Sequence, residues 1–342
     1  MRTVVHHIVI AIGITAALVA LPRAQDTPAR EVPTLHHIHH NSLAPDAAIE
    51  AYLKAYPTNT RVKLMGFDGV KTSNQVTLLF SRVAAAPRMA GPDRTSVPQD
   101  AFWHHVWTVP DVRLATQRIK SNLPDAKAIP QYLDPEGATG EFSSDGLPGF
   151  LTTAQLVEAK KKGATANGRG GYFNWYGPDG VVMETLQQGD TEAYSIFGMF
   201  QEQPLCAVLW YQRHLNAALP PAGRGPSPLE GRTTDNCKVE RGPVSWPSTY
   251  RNGHYRLPPA VAVVFSGVSF RWYMNQGDRP LVSTRGGVVD HFALAVKNLD
   301  EWAARLQKEG VRILEAPRTL NGVRVMMIEG PSLEPIELVE TK

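Results

Sequence analysis

The sequence predicts an α+β chain of four repeats, each a strand, a helix and then three further strands. Three observations lead there. An interval of seven residues separates a strand start from a helix cap four times along the chain. In the clearest copies the apolar period changes at that interval from two to about 3.6, the change from strand to helix. Two copies then close on a Gly-Pro turn and a strand that carries a glutamate six residues after the proline.

The chain opens with MRTVVHHIVIAIGITAALVALPRAQD. Arg2 gives a positive start, residues 8–21 form an apolar run of signal-peptide length, and cleavage is expected after Ala24. The run is short for a membrane span of roughly 20 residues. Residues 1–24 are therefore read as an export signal rather than an anchor, and the mature chain as periplasmic or secreted, with no membrane attachment after cleavage.

Copy one begins with LHHIHHN (35–41), which holds four of the chain's 11 histidines. Strand alternation sends His37 and His39 to one face, and His36 and His40 to the other, solvated or helix-facing side. Ala44, seven residues after His37, precedes PDAAIEAYLKAYP, whose Pro45 suits a first helical turn. NQVTLLFSRV follows as strand.

Copy two starts at His104 with HHVWTV, and His105, facing away from His104, reads as structural. Asp111 caps a helix striped by Val112, Ala115 and Ile119. GYFNWYGPDGVVMETLQQ then places Glu184 six residues after Pro178. A charge in mid-strand is expensive unless partnered, so Glu184 stands out. Copy three runs from Ile196 through Gln203 and PLCAVLWYQRHLN to VAVVFSGVSFRWYMN; His214 in its helix reads as a surface residue. Copy four runs from His291 to the cap Asn298, with Glu301 placed as in a capping box. Gly310 stops that helix, and VRVMMIEGPSLEPIELVE brings Glu337 six residues after Pro331.

Of 342 residues, 43% are hydrophobic and 20% charged, the balance of an ordinary globular protein with ample core material. The formal net charge is +3, and Arg2 and Arg23 lie inside the expected signal, so the mature chain is near neutral. No basic stripe is present, which argues against a nucleic-acid partner. Neither a Gly-rich phosphate loop nor a serine nucleophile elbow occurs. Cys206 and Cys237 are either one disulfide or two separate buried thiols; from their places in copy three they are expected to lie close enough to bridge.

Leading histidine, capped helix, and the closing "YF…GPDG…ME" turn and strand resemble the vicinal oxygen chelate superfamily of glyoxalases, extradiol dioxygenases and bleomycin-resistance proteins. The resemblance runs from about residue 35 to 340. It implies that modules pair into cup-shaped mixed-sheet domains. The expected domains are 25–192, from modules one and two with an insertion at about 131–170, and 193–342, from modules three and four. It further implies a divalent metal held by leading histidines and a closing glutamate: His37, His104 and Glu184. Fe(II) or Mn(II) suits this donor set first, with Zn or Ni also compatible. His39 is the register alternative to His37, or a nearby acid–base group. Tyr172 shares a strand face with Asn174 and Tyr176 that either meets substrate, with Tyr172 as a catalytic candidate, or packs in the core or rim.

In the second pair, Ile196 stands where a third ligand is needed, so the first pair is expected to hold the working site, with His291 and Glu337 either bonded to each other or joined by His254. The insertion is either a lid or a surface excursion. The implied function is an exported metal-dependent enzyme, dioxygenase-like or glyoxalase-like, acting on a small molecule that chelates through oxygens. The competing reading is a metal-free small-molecule sequestration protein.

Overall fold

All four expected caps sit at the start of a helix. The computed structural model describes residues 30–88, 99–129, 131–133, 142–144, 161, 172–221, 250–251, 254–255, 261–274 and 281–342. Within it α1 (Pro45–Ala55) follows Ala44, α2 (Val112–Asn122) follows Asp111, α3 (Pro204–Leu215) follows Gln203 and α4 (Leu299–Lys308) follows Asn298. Asp111 accepts from the amides of Arg113 and Leu114 at 2.8 and 3.1 Å. Asn298 accepts from the Glu301 amide at 3.2 Å and donates its own side-chain amide to Glu301 Oε1 at 2.7 Å. Ala44 and Gln203 make no side-chain cap; a proline in the first turn removes one donor that would otherwise need a partner.

The modules contribute strands in turn. Module one gives β1 (Thr34–Ser42), β2 (Thr60–Leu64), β3 (Phe67–Lys71) and β4 (Thr77–Arg82). Module two gives β5 (Phe102–Val109), β6 (Lys127–Ala128), β7 (Tyr172–Tyr176) and β8 (Val182–Gln187). Module three gives β9 (Ala193–Gln201), β10 (Val261–Phe265) and β11 (Val268–Met274) among the described residues. Module four gives β12 (Val289–Val296), β13 (Ile313–Leu320), β14 (Val323–Glu329) and β15 (Pro335–Glu340).

The α+β class and the paired mixed sheets are as expected, but neighbouring modules are not the partners. An eight-stranded sheet runs β13-β14-β15-β12-β1-β4-β3-β2, joining module four to module one. A seven-stranded sheet runs β10-β11-β9-β5-β8-β7-β6, joining module three to module two. The grouping 25–192 against 193–342 is therefore corrected: each sheet takes one module from each half. Linker length gives a physical reason. β8 lies on one side of β5 and β9 on the other, a crossing of about 10 Å. The residues between them, 188–192, reach about 17 Å when extended, so module three is kept beside module two. The link from β4 to β5, residues 83–101, carries no such restraint.

Each pair meets at its first strands, antiparallel: β1 with β12, where His39 faces His291, and β5 with β9, where His104 faces Gly198. The two sheets share one core. His40 Nε2 and His105 Nε2 are 2.8 Å apart, both rings fully buried, and Tyr194 Oη is 2.7 Å from the other nitrogen of His105. Phe197 packs on Phe292 across the same boundary. Burial pushes the His40 imidazole pKa down to about 3 and that of His105 well below its ordinary value. His105 is structural, as expected. His40 is not solvated, because the other sheet covers its face. His214, expected at the surface, is buried with Nδ1 2.8 Å from Glu309 Oε2.

Cys206 is disulfide-bonded; its expected partner Cys237 lies outside the described residues. Of the 131–170 insertion, the described backbone includes a short hairpin, 131–133 against 142–144, and the lid reading falls outside the described residues. So does the expected signal, 1–24. No helix among the described residues is long and apolar enough to cross a membrane.

Candidate functional site

Strand alternation carries His37 and His39 to the concave face of the eight-stranded sheet. Pairing with β12 brings His291 opposite His39, and β15 places Glu337 beside Ala293, itself opposite His37. The ligand-capable atoms of His37, His39 and His291 lie within 4.8 Å of one another. Glu337 Oε2 is 3.6 Å from His37 Nε2 and 3.9 Å from His291 Nε2. His37, His39 and Glu337 are 1, 6 and 3% exposed. A cavity of about 270 Å³ opens onto these groups.

Each imidazole has one nitrogen engaged outside the cluster. His37 Nδ1 is 2.8 Å from His36 Nδ1, and His39 Nε2 is 2.8 Å from Ser81 Oγ. His291 Nδ1 is 2.8 Å from Asp290 Oδ1. Asp290 is ionised, so His291 Nδ1 donates to it, which leaves Nε2 as the nitrogen that faces Glu337. Burial works against the Asp290 carboxylate, yet His291, the Gly286 amide and Asn41 together hold its pKa below the usual range. Burial and the neighbouring His291 push the pKa values of His37 and His39 down, to about 3 for His39. These rings are thus neutral and hold lone pairs. Burial raises the Glu337 pKa, against the pull of His291 and Arg318. Imidazoles with one fixed nitrogen each, beside a carboxylate, are the donor set of a borderline divalent ion.

The expected ligand set is therefore not assembled as one site. His37 and His39 lie in this cup, while His104 and Glu184 lie in the cup of the seven-stranded sheet. There His104 Nε2 is 3.5 Å from Glu184 Oε2. Register identifies what the second cup lacks. Ile196 faces Val106 as His37 faces Ala293, and Gly198 faces His104 as His39 faces His291. A Cβ on Gly198 would stand 2.2 Å from His104 Nδ1, so no side chain fits there. Arg271, beside Gly198, occupies the position that Leu79 holds beside His39. Trp103 covers the His104 ring, with centroids 3.6 Å apart. Burial lowers the His104 pKa, opposed by Glu184.

Tyr172 pairs with Leu186 in the same sheet, away from His37 and His39. Its neighbour by parity, Asn174, faces Glu184 and is buried. His254 lies in a two-residue strand with Tyr255, and its side chain is outside the described residues. His291 and Glu337, expected to bond each other or to be joined by His254, are instead joined by His37 and His39, because module four pairs with module one and not with module three. His36, Ser81 and Asp290, which orient the imidazoles, carry no role in the sequence pattern. The adjacency of Asp290 and His291 was the available signal.

No protein-family model matches the chain, and no curated protein matches it in sequence. Solved structures do. A point variant of glyoxalase I from Zea mays aligns over 90% of this chain and 92% of its own, with 14% identity and a TM-score of 0.54. Glyoxalase I from Zea mays itself gives 12% identity and 0.51 over 90% and 92%. A putative dioxygenase from Bacillus subtilis covers 91% and 86%, with 11% identity and a TM-score of 0.49. With four repeated modules, paired mixed sheets and likeness over nine-tenths of its length, the chain has the fold of glyoxalase I.

Proposed function

We propose that the cup of modules one and four is a mononuclear metal site, and that the protein is an exported enzyme of glyoxalase-like or dioxygenase-like type. The observation that carries this is the orientation of three imidazoles, two buried and one partly exposed, each tied at one nitrogen, around a buried carboxylate. His37, His291 and Glu337 are the holding residues, since Glu337 is within 4 Å of a nitrogen of both histidines. Bound there, a divalent ion, Fe(II) or Mn(II) first and Zn or Ni also compatible, supplies Lewis acidity or oxygen activation toward a substrate that chelates through oxygens.

The chain's own residues do the rest. Asp290 fixes the tautomer of His291, and His36 can accept the Nδ1 proton of His37. His39 stacks on His291 at 4.8 Å between centroids and bonds to Ser81. It is the group placed to take and return a proton at a bound substrate. Phe67, packed edge-on against His39 at 4.7 Å, and Met327 make the apolar wall that limits water.

Metal analysis of the purified mature chain, before and after anaerobic reconstitution with Fe(II) and Mn(II), tests this. One ion per chain is expected. No uptake overturns the reading in favour of metal-free sequestration of a small molecule.

A further inference from the structure

The rim of the same cup carries two arginines that metal binding does not use. Arg285 comes from the loop before β12 and Arg318 from the edge strand β13, and both line the cavity whose floor is His37, His39, His291 and Glu337. Their side chains are 50 and 43% exposed, against 3% for Glu337, so they stand at the mouth. One carboxylate serves both. Arg318 donates from Nε and Nη2 to Glu315 Oε2 at 2.9 and 2.8 Å, and Arg285 donates from Nη2 to Glu315 Oε1. These bonds leave Nη1 of each guanidinium for another acceptor.

The loop bearing Arg285 is fixed from behind. The Arg88 side chain donates to the Arg285 carbonyl at 3.2 Å and its amide to the Gly286 carbonyl at 3.1 Å. The Gly286 amide in turn donates to Asp290 Oδ2 at 3.0 Å. The arginine is thus carried by the same short segment that orients His291, so rim and floor are held in one geometry before any ligand arrives.

Charge points to what the rim receives. On the floor, Asp290 and Glu337 balance a divalent ion. At the rim, two guanidinia face one carboxylate, which leaves one positive charge at the mouth of a pocket that is polar below and apolar at its sides. With Nη1 open on each guanidinium, the pair can give a carboxylate two donors, one from each arginine, and such charge-assisted bonds are stronger than neutral ones.

From this the geometry points to a substrate class: a small molecule with metal-chelating oxygens at one end and a carboxylate at the other, the carboxylate held by Arg285 and Arg318. This rests on the metal-site reading above, and the test separates the two. The probes are 3,4-dihydroxybenzoate and its neutral isostere 3,4-dihydroxybenzamide, which share the chelating oxygens and differ at the distal group. Binding of each to the full mature chain is measured by calorimetry, metal-free and after Mn(II) loading. The acid is expected to bind about tenfold tighter than the amide in both forms, the scale of one charge-assisted contact. In Arg318→Gln and in the double variant with Arg285→Gln the ratio is expected to fall toward one, while Mn(II) stoichiometry stays at the wild-type value. Arg318→Lys, which keeps the charge but cannot hold Glu315 with two donors while offering a third, is expected to fall between.

A wild-type ratio near one, no measurable binding of either probe, or a ratio unchanged in the double variant overturns the proposal. A chain that takes up no Mn(II) sinks the metal reading, yet the ratio in the metal-free form still decides the arginine pair. Both arginines are half exposed, and a thermal midpoint for each variant confirms that lost discrimination is not lost folding.

Discussion

Replacing Asp290 by asparagine changes one charge and no volume, and the structure says why the site should feel it. Asp290 Oδ1 accepts from His291 Nδ1 at 2.8 Å, while Oδ2 accepts from the Gly286 amide at 3.0 Å and the Asn41 side-chain amide at 3.2 Å. Asparagine has one acceptor oxygen for these three donors. With its NH2 toward Gly286 and Asn41, donor meets donor at two contacts. With its NH2 toward His291, the imidazole must move its proton to Nε2, the nitrogen that faces Glu337, and its lone pair is lost to the ion. Either arrangement weakens the ligand without removing it. Loss of such an orienting partner costs about 10–100-fold in metal affinity, or roughly 1.4–2.7 kcal/mol. Competition against a chelator of known affinity, with Mn(II) or Zn(II), measures it. An Asp290→Asn protein that folds normally and binds metal as tightly as wild type would refute both the tautomer argument and the assignment of His291.

Further outcomes follow from the same geometry. His291→Ala is expected to abolish stoichiometric metal, while His104→Ala leaves it intact; the opposite result restores the first-pair site read from the sequence. Gly198→Ala drives a Cβ to within 2.2 Å of a His104 ring that is fully buried, so denaturant unfolding should show a loss of about 1–3 kcal/mol; a neutral effect contradicts the close packing of that cup. His40 and His105 are neutral when folded, with His40 titrating at about 3, whereas unfolded histidine titrates near 6.5. The unfolded chain therefore takes up more protons below pH 6.5, and stability present above that value is lost as pH falls, at about 1.4 kcal/mol per pH unit for each ring. Chelator-treated protein compared at pH 7.5 and 5.5 should lose at least about 3 kcal/mol, with the depressed His37, His39 and His104 adding to the loss from this pair, and an unchanged midpoint rules out their burial as neutral rings. Finally, mass spectrometry of exported protein should find a chain beginning at Gln25; an intact Met1 in that fraction counts against signal cleavage.

The repeat is legible in the residues alone. Strand alternation, a cap seven residues after each strand start, and a Gly-Pro turn before Glu184 and Glu337 are local features, readable within a few residues of each other. Among the described residues, the helix of each module begins at its cap. It is equally legible there that Ile196 cannot serve as a ligand, though not which cup lacks one. Pairing of modules was decided only in the tertiary structure, because it rests on contacts such as His39 against His291 that are remote in sequence and leave no period behind. Neighbouring modules in the chain suggested His37 with His104. The sheets instead gave His37 to His291 and Glu337, and left His104 and Glu184 with Arg271 and a glycine. Which polar groups orient the imidazoles was likewise out of reach: Ser81 meets His39 because β4 lies beside β1, a neighbour relation that only the folded sheet creates.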